Sequence, residues 1–419
     1  MNFPAEILPG FDCRFFIGVG NQSGFYNTLE HNPKIQEFFM SEQKKIKVAV
    51  IAAGSRARLV VKNLLRDSER NVVIASVFDP DQAVMEEAIL QHWNSPEAKR
   101  CRSSEEAINT PGVEWVMIFS PNAYHKEHIL QAFAAGKHVF TEKPLATSIE
   151  DCQEIFEAYQ KAGKLFATGF VLRYAPIYRK AYEILNSGKI GRLIALEANE
   201  NIAPDHGGYI MCNWRRLKKL AGPHILEKCC HDLDLINWFC NSLPSRVAAF
   251  GGRDFFRPEN RNLEEKYGVK TFKSWWDPHT LETPFNNDTD LMDNMVSIAE
   301  FRNGIRTTFT ATMSNRIPER RMRFNCTEGT MCLDLYTGIL RYRNLADEGV
   351  TEIVCSGDGH GGGDDYIMKE LYESMTKGVV PKCSGNEGLQ SAVYALSLDR
   401  AAVSGEVVNL ELIWKSLHR

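Results

Sequence analysis

The sequence predicts an α/β protein in which a doubly wound parallel sheet precedes a second domain built on mostly antiparallel strands with some helices. Two observations support this prediction. Between residues 45 and 168, short apolar runs alternate with helical stretches, which is the pattern of βαβ units. After about Gly169 the alternation stops, and strands joined by tight turns follow. The length of 419 residues also agrees with two domains.

The predicted parallel sheet begins with a nearly continuous apolar strand, residues 46–51, with the sequence IKVAVI. Such a run suits a strand that is covered by helices on both faces. Three further apolar runs predict strands at residues 72–78, 113–119 and 138–140. A helix that contains Leu59, Val60, Leu64 and Leu65 follows the first strand, and further helices are predicted over residues 82–92, 104–109, 123–135 and 148–161.

The second domain has its clearest strands on either side of Asn303-Gly304, a dipeptide that favours a hairpin turn. These two strands cover residues 296–301 and 305–313, and further strands are predicted at residues 321–326, 330–336 and 339–342. Residues 253–290 are rich in aromatic residues and proline, so we interpret them as a long ordered loop or insertion.

Residues 1–43 do not join this pattern. Phe15-Phe16-Ile17, followed by Gly18 and Gly20, imitates a strand that runs into a glycine loop. The residues that follow, 25–33, make a poor helix start, so we interpret the segment as a non-catalytic N-terminal extension.

Composition excludes several classes of protein. The chain is 44% apolar and 24% charged, as in an ordinary globular protein, and its net charge of -4 provides no field for nucleic acid or an anionic membrane. No apolar run reaches the roughly 18 residues of a membrane span, and the start of the chain lacks the features of an export signal. The 11 cysteines form no C-x-x-C pair, which indicates a reduced compartment. We therefore expect a cytoplasmic protein without structural zinc.

The turn after the first predicted strand has the features of a dinucleotide site. The fingerprint G-x-G-x-x-G brings a helix N-terminus close to a pyrophosphate, and Ala52, Gly54 and Ala57 occupy its three positions here. Asp79 ends the second strand, where a carboxylate accepts the ribose hydroxyls of NAD and repels the 2′-phosphate of NADP. Arg56 could instead meet a 2′-phosphate. We therefore expect NAD, with NADP as the less favoured alternative.

Several motifs, in order, carry a resemblance to a known family. The motifs are Ser120-Pro121-Asn122, Gly136-Lys137-His138, Glu142-Lys143-Pro144, Arg173-Tyr174, the segment 227–234, Gly361-Gly362-Gly363-Asp364 and the closing Gly388-Leu389-Gln390-Ser391. In these motifs the chain resembles the Gfo/Idh/MocA family, the group of glucose-fructose oxidoreductase and inositol dehydrogenase, over residues 45 to about 412. The chain departs from the family pattern at Ala52 and Ala57, and it has Glu227-Lys-Cys-Cys-His231 where the family has D-x-G-x-H.

The resemblance implies a Rossmann domain over residues 44–168. Over residues 169–419 it implies an α/β domain with a large open sheet that binds substrate and forms oligomers. An open sheet with an exposed apolar face tends to pair with a copy of itself, so we expect a homodimer or homotetramer.

Lys143 is the first candidate catalytic residue. It follows the fourth predicted strand, at the edge of the sheet where a nicotinamide would lie. Desolvation beside the cationic ring of the oxidised cofactor would lower the pKa of its ammonium, so we expect a lowered pKa.

A second group of candidates lies on one face of a predicted helix that begins near Pro223 and carries Glu227, His231, Asp234 and Trp238. The resemblance implies that Glu227 and His231 join Lys143 in a catalytic triad. We assign His231 as the acid/base at the reacting hydroxyl, Lys143 as the group that polarises the same oxygen, and Glu227 as the group that orients the substrate or His231. No second cluster completes a metal site, so we expect no metal.

Further residues complete the predicted site. The expected cofactor contacts are Ser55, Ser120, Pro121, Asn122, His125 and Glu142. His125 has an equal alternative as an ordinary histidine at the start of a helix. The expected substrate contacts are Arg173, Tyr174, Tyr209, Trp214, Arg215 and Asp234, since aromatic rings stack on sugars and arginines hold anionic groups. His360 and Asp364, on either side of three glycines, are weaker candidates.

These residues lead to three functional hypotheses. The first is an NAD-dependent oxidoreductase that acts on a secondary alcohol of a sugar, glycoside or cyclitol. The alternative is an NAD-dependent glycoside hydrolase that oxidises the sugar ring transiently and eliminates the aglycone. A nicotinamide-responsive binding protein without turnover is the third, and the presence of Lys143 and His231 argues against it.

Overall fold

Strands and helices alternate through the first part of the structure, a computed structural model that describes residues 45–273, 280–357 and 359–419. The predicted extension, residues 1–43, lies outside these described ranges. The first sheet has six parallel strands in the order β3-β2-β1-β4-β5-β6. Its strands are β1 (Ile46–Ile51), β2 (Val72–Phe78), β3 (Lys99–Arg100), β4 (Val113–Ile118), β5 (His138–Thr141) and β6 (Phe166–Thr168).

Helices cover both faces of this sheet, as the apolar runs require. They are α1 (Ser55–Asp67), α2 (Gln82–Glu87), α3 (Ser104–Ile108), α4 (His125–Ala134) and α5 (Ile149–Ala162). The residues 48–51 of β1 are fully buried, which explains why that strand reads as a continuous apolar run. The predicted doubly wound sheet is confirmed, and the short outer strands β3 and β6 are additions to it.

The second sheet has nine strands in the order β14-β13-β12-β11-β7-β10-β9-β8-β15. They are β7 (Leu193–Asn201), β8 (Pro244–Gly252), β9 (Asn294–Phe301), β10 (Arg306–Thr312), β11 (Arg321–Cys326), β12 (Gly329–Asp334), β13 (Ile339–Asn344), β14 (Thr351–Val354) and β15 (Val408–Asn409). All neighbouring pairs are antiparallel except β7 and β10. Gly304 has the positive φ of +82° that the predicted turn between β9 and β10 needs. The predicted open, mostly antiparallel sheet is confirmed.

Helices cover one face of the second sheet and join it to the first. They are α6 (Pro176–Asn186), α7 (Pro204–Cys212), α8 (Lys218–Ala221), α9 (His224–Glu227), α10 (Cys230–Cys240), α11 (Asn262–Tyr267), α12 (Asp364–Lys377), α13 (Gly385–Ser404) and α14 (Glu411–Ser416). We call the elements built around the six-stranded sheet the first part and those built around the nine-stranded sheet the second part. The long helix α13 packs against α5 of the first part and against α10 and β8 of the second part. Residues 46–419 form one compact unit, so the boundary at residue 168 stays a prediction.

The predicted insertion at residues 253–290 has a small core of its own. Phe256, Phe272 and Phe285 are buried there and pack with Met211 of α7. The helix α7 fits closely against this core, because a Cβ at Gly208 would lie 1.5 Å from the carbonyl oxygen of Phe272. The insertion therefore fixes the position of α7, which borders the site described below.

One testable consequence concerns Ala52, which has φ of +67° at the first position of the glycine fingerprint. A left-handed conformation costs an alanine about 1–2 kcal/mol, whereas glycine adopts it freely. We expect Ala52→Gly to raise the free energy of unfolding by about 0.5–1 kcal/mol, after the greater entropy of the unfolded glycine chain is subtracted. Urea denaturation measures this change. The control is Ala53→Gly, at a buried neighbour without a positive φ, which should be destabilised; a loss of stability in both variants would contradict the account.

Candidate active site

The turn between β1 and α1 has an open surface where a dinucleotide would lie. Gly54 is exposed, and a Cβ added to it would meet nothing within 4 Å. Ser55 begins α1 and is also exposed, while Ala57 is fully buried, as close packing of helix on sheet requires. The turn therefore keeps the backbone approach and the helix N-terminus that a pyrophosphate needs.

Asp79 is held beside this turn by two backbone hydrogen bonds. Its Oδ2 accepts from the N–H of Ala53 at 2.7 Å, and its Oδ1 accepts from the N–H of Asp81 at 2.8 Å. Burial raises the pKa of Asp79, while the two bonds oppose that rise. The carboxylate is thus placed at the end of β2, next to the phosphate turn, where the ribose of a dinucleotide would reach it.

Arg56 is committed to two carboxylates rather than free to meet a 2′-phosphate. Its Nε donates to Glu142 Oε1 at 2.7 Å, and its Nη1 donates to Asp364 Oδ1 at 2.7 Å. Burial would lower the pKa of Arg56, but the charges of the two carboxylates raise it above its ordinary value. This pairing argues against the NADP alternative. It also joins the dinucleotide turn to α12 of the second part.

Some predicted cofactor contacts have protein partners instead. Both ring nitrogens of His125 lie against backbone carbonyls, Nδ1 at 2.8 Å from Pro144 and Nε2 at 2.9 Å from Ser120. Asn122 donates from Nδ2 to the carbonyl of Ala221 at 2.8 Å. Since His125 is fully buried, its ring fixes the loops after β4 and β5, and the alternative reading as a structural histidine fits better than a cofactor contact.

The loop after β4 contributes two further predicted cofactor residues. The Oγ of Ser120 lies 3.0 Å from Nδ1 of His128, so its side chain is also engaged with α4. Pro121 directly precedes the short helical turn at residues 122–124 and is partly exposed. Of these loop residues, Pro121 keeps a surface that a bound cofactor could contact.

Lys143 extends from the end of β5 to the second part of the molecule. Its Nζ donates to the backbone carbonyl of Glu227 at 2.5 Å and lies 3.6 Å from Glu227 Oε1. The same Oε1 accepts from Arg215 Nε at 3.0 Å. One buried carboxylate therefore holds both cations, and it brings a strand of the first sheet and a helix of the second part together.

The continuous helix predicted from Pro223 is wrong in one detail. The short helix α9 ends at Glu227, and α10 begins only at Cys230. At the break the carbonyl of Glu227 accepts from Lys143, and the N–H of Asp232 binds the carbonyl of Cys229. The break frees the Glu227 carbonyl for Lys143.

The lowering expected for the Lys143 pKa concerns the protein with oxidised cofactor bound, and without that cationic ring the shift is upward. Burial is the largest effect and lowers the pKa of Lys143, but Glu227, Cys230 and Glu142 together outweigh it, and the pKa lies above its ordinary value. Burial likewise raises the pKa of Glu227, but Lys143 and Arg215 lower it to about 2. Lys143 is therefore an ammonium that can donate a hydrogen bond, and a base has to come from another residue.

His231 is the candidate for that base. Its ring is 2% exposed, and its Nδ1 has no hydrogen-bond partner among the described residues. Burial lowers the pKa of His231 well below its ordinary value, and Lys143 is the largest charge that adds to this effect. His231 is thus neutral and able to accept a proton.

A second imidazole lies beside His231. The ring centroids of His231 and His360 are 5.6 Å apart, and His360 Nδ1 lies 2.8 Å from Asp364 Oδ2. By sequence, His360 and Asp364 are weak candidates, because only the run of three glycines marks them. In the structure Arg56 binds Asp364, and Asp364 binds His360 beside His231.

The predicted substrate residues fall into two groups. Tyr209, Trp214 and Arg215 gather at Glu227: the guanidinium of Arg215 lies 4.4 Å from the ring centroid of Trp214, and its Nη1 donates to the hydroxyl of Tyr209 at 3.1 Å. All three are partly exposed. They form one wall of the candidate site, with rings and a guanidinium that a sugar could contact.

The other group has structural partners. Arg173 forms two hydrogen bonds of 2.7 Å with the buried carboxylate of Asp234. Burial raises the pKa of Asp234 to about 6 against the opposing effect of Arg173. Tyr174 donates to Glu370 at 2.9 Å. These contacts give Arg173, Tyr174 and Asp234 structural partners within the protein, and their predicted substrate contacts stay predictions.

Sequence reasoning misses a buried ionic cluster below the site. Arg320 donates to Asp232 at 2.8 and 2.6 Å and lies 3.2 Å from Glu200, and Lys228 lies 3.6 Å from Glu200. Burial raises the pKa of Glu200, but the charges of Arg320 and Lys228 bring it down to about 2. Asp232 is the neighbour of His231, so the cluster anchors α10 to the sheet. Lys228 and Asp232 lie in the motif segment 227–234, but their partners Glu200 and Arg320 are distant in sequence and belong to no motif.

Comparisons with known proteins agree with this architecture. Residues 46–170 match the family model described as an oxidoreductase family with an NAD-binding Rossmann fold, and residues 178–332 match the GFO/IDH/MocA C-terminal domain. The chain is 23% identical over 397 residues to the putative oxidoreductase YteT of Bacillus subtilis, covering 82% of this chain and 92% of that protein. It is 34% identical to an inositol 2-dehydrogenase of Gluconacetobacter diazotrophicus over 38% of this chain and 48% of that protein.

A solved structure has the same fold. Levoglucosan dehydrogenase in complex with NADH and levoglucosan superposes with a TM-score of 0.73 at 18% identity, covering 88% of this chain and 100% of that one. At this identity the likeness is one of fold.

The effect of the Lys143 charge on the pKa of His231 makes a testable prediction. Replacing Lys143 with methionine removes a positive charge that disfavours the imidazolium, so the pKa of His231 should rise. Burial remains, so the value should stay below that of a free histidine. NMR titration of protein labelled with 13C-histidine measures the shift, and the variant His231→Gln assigns the signal. The control is Lys126→Met, because the amine of Lys126 pairs with Asp151 and Glu154. If the pKa of His231 is equal in wild type, Lys143→Met and Lys126→Met, the charge of Lys143 does not act on His231.

Proposed function

Because the chain belongs to the GFO/IDH/MocA family of oxidoreductases, we propose that it is an NAD-dependent dehydrogenase that acts on a secondary alcohol of a sugar, glycoside or cyclitol. The observation that supports this most directly is the contact between Lys143 and Glu227 at the edge of the dinucleotide-binding sheet, shortly before the buried His231 in the chain. An ammonium, a neutral imidazole and a carboxylate are the groups that a hydroxyl needs in order to lose its proton.

The residues take separate roles in this proposal. Bound NAD supplies the acceptor for the hydride that leaves the carbinol carbon. The neutral imidazole of His231 takes the hydroxyl proton. The ammonium of Lys143 donates a hydrogen bond to the same oxygen and stabilises the negative charge that develops there. Glu227 holds Lys143 and Arg215 in place, and its low pKa keeps it charged throughout.

NAD rather than NADP fits the residues around the turn. The carboxylate of Asp79 would repel a 2′-phosphate, and Arg56 already pairs through Nε with Glu142 and through Nη1 with Asp364. The exposed Gly54 and the N-terminus of α1 would hold the pyrophosphate.

The carbohydrate part of the proposal rests on the wall formed by Tyr209, Trp214 and Arg215. Aromatic rings stack on the apolar faces of sugars, and the remaining guanidinium donors suit ring hydroxyls or a carboxylate. The similar proteins named above act on a cyclitol and an anhydrosugar by their names, and this agrees with a polyhydroxylated ring as substrate.

We also propose a homo-oligomer that works in the reducing cytoplasm. The outer face of the second sheet exposes Phe250, Val296 and Ile298, with exposed fractions of 73%, 57% and 56%. Such a patch favours association with a second copy. The cysteines of the described residues are free thiols, and no described helix is long and apolar enough to cross a membrane. Light scattering of the purified chain measures the oligomeric state.

A substrate panel tests the reaction class. The purified full-length chain is incubated with NAD and with uronic acids, cyclitols, neutral sugars and aryl glycosides, while nicotinamide absorbance and aglycone release are followed together. NADH formation from a free sugar or cyclitol supports the dehydrogenase. Release of aglycone without net NADH supports glycoside cleavage by transient oxidation, and neither signal on any substrate contradicts both.

Turnover should depend on Lys143. We expect Lys143→Ala to lower kcat by about 10² or more, because charge stabilisation and proton transfer at the reacting oxygen are lost, while NAD still binds. Steady-state kinetics and a fluorescence titration with NADH measure the two effects. A variant with the kcat of the wild type would remove Lys143 from the mechanism, and Lys126→Ala provides the matched control.

Cofactor preference should depend on Asp79. In Asp79→Asn the amide keeps an oxygen for the turn but loses the negative charge, so the preference for NAD over NADP should fall ~10-fold or more. The ratio of kcat/KM values for the two cofactors measures it. Asp67→Asn, at the far end of α1, should leave the ratio unchanged. An unaltered ratio in Asp79→Asn would show that this carboxylate does not face the 2′-position.

A further inference from the structure

The proposed base is enclosed by protein. His231 is 2% exposed, and it is packed against Phe170 at a centroid distance of 6.0 Å on one side and against His360 on the other. In each turnover of an alcohol oxidation, His231 would gain one proton that has to reach solvent before the next cycle. A buried imidazole that cannot release this proton would limit the rate.

His360 lies between His231 and solvent. Its side chain is 30% exposed, while its ring centroid is 5.6 Å from that of His231. No other described imidazole is recorded in ring contact with His231. His360 is therefore the titratable group best placed to exchange protons both with the base and with water.

Asp364 fixes the tautomer of His360. Burial raises the pKa of Asp364, but His360 and Arg56 lower it to about 2, so the carboxylate is charged and accepts from Nδ1–H of His360 at 2.8 Å. A neutral imidazole has one N–H, so Nε2 is left as a proton acceptor. This is the arrangement that a proton-transfer histidine needs.

The three glycines before Asp364 hold this pair in position. Gly361 and Gly362 have φ of +65° and +80°, conformations that glycine adopts without strain. At Gly363 a Cβ would lie 2.3 Å from the carbonyl oxygen of Val171, so the segment passes directly over the chain that follows β6. The run of glycines lets His360 reach the site while Asp364 begins α12.

We propose that His360 carries the proton between His231 and solvent. This inference rests on the proposed dehydrogenase function. In the step, an N–H bond of the His231 imidazolium breaks and an N–H bond at Nε2 of His360 forms; the His360 imidazolium then gives up a proton to water or a small buffer molecule. No electrons are exchanged, and both imidazoles return to their neutral state.

Several charged groups face the two rings. His360 faces Asp364 of α12, Arg56 of α1 and Lys228, while His231 faces Lys143, Arg320 and Lys228. Burial lowers the pKa of both imidazoles, so neither ring holds the proton firmly at neutral pH. His360, as an intermediate carrier, acts through His231 and does not touch the substrate itself.

The test is chemical rescue in the variant His360→Gln. We expect kcat to fall roughly 10-fold to 100-fold with KM unchanged, and added imidazole to restore much of it in a concentration-dependent way. The solvent deuterium isotope effect on kcat should increase, and the effect of deuterium at the carbinol carbon should shrink, because proton release becomes slower than hydride transfer. His92→Gln, at an exposed histidine paired with Glu87, should change none of these readouts.

A second pair of variants tests the relay if His360→Gln does not fold. Asp364→Asn removes the charge that orients His360, and its neighbour Asp365→Asn removes only a partner of the exposed Arg66. Asp364→Asn should share the isotope effects of His360→Gln, and Asp365→Asn should behave as wild type. A kcat in His360→Gln equal to wild type, or a loss that imidazole does not restore in a folded variant that binds NADH, would overturn the relay.

The outcomes also separate this inference from the proposed function. If wild type oxidises no substrate in the panel, the dehydrogenase proposal itself fails. If wild type is active, His231→Gln is inactive and His360→Gln is unchanged, the relay alone fails.

Discussion

The site depends on one contact, that between the ammonium of Lys143 and Glu227. Lys143 ends a strand of the parallel sheet, and Glu227 ends a short helix of the second part, so the 2.5 Å hydrogen bond joins the two halves at the place where chemistry is proposed. The break after Glu227 makes the carbonyl available. The carboxylate then keeps Lys143 charged, and the charge of Lys143 helps to keep His231 neutral. A donor and an acceptor of protons thus result from one electrostatic arrangement.

A second connection runs beside the first. Glu142 binds Arg56, Arg56 binds Asp364, and Asp364 binds His360, all at 2.7 or 2.8 Å. Glu142 precedes Lys143 in the chain, so both connections start from the same loop. A buried ion pair contributes little to stability unless its partners are well placed. Here Arg56 is held by two carboxylates, and the carboxylate of Asp364 binds both Arg56 and His360. The dinucleotide turn and the proposed proton path therefore share their anchors.

Sequence patterns predict those parts of the molecule that depend on neighbours in the chain. The apolar runs identify β1, β2, β4 and β5, and the motif around Lys143 identifies the sheet edge where the site lies. The outer strands β3 and β6 are too short to give a pattern. The pairing of Arg173 with Asp234, and the Arg320 cluster, join residues that are far apart in sequence, so no spacing reveals them. Lys143 shows the limit most clearly, since its pKa is raised by Glu227, a partner that the chain fold brings to it.

The most direct test of the account is a crystal structure of the full-length chain with NAD and a substrate found by the panel. The distances to measure run from Nζ of Lys143 and from the ring nitrogens of His231 to the substrate oxygen at the oxidised carbon. The account predicts that both residues lie within hydrogen-bonding distance of that one oxygen, about 2.7–3.2 Å. A complex in which the amine and the imidazole face different cavities, or in which the sugar binds away from both, would contradict it.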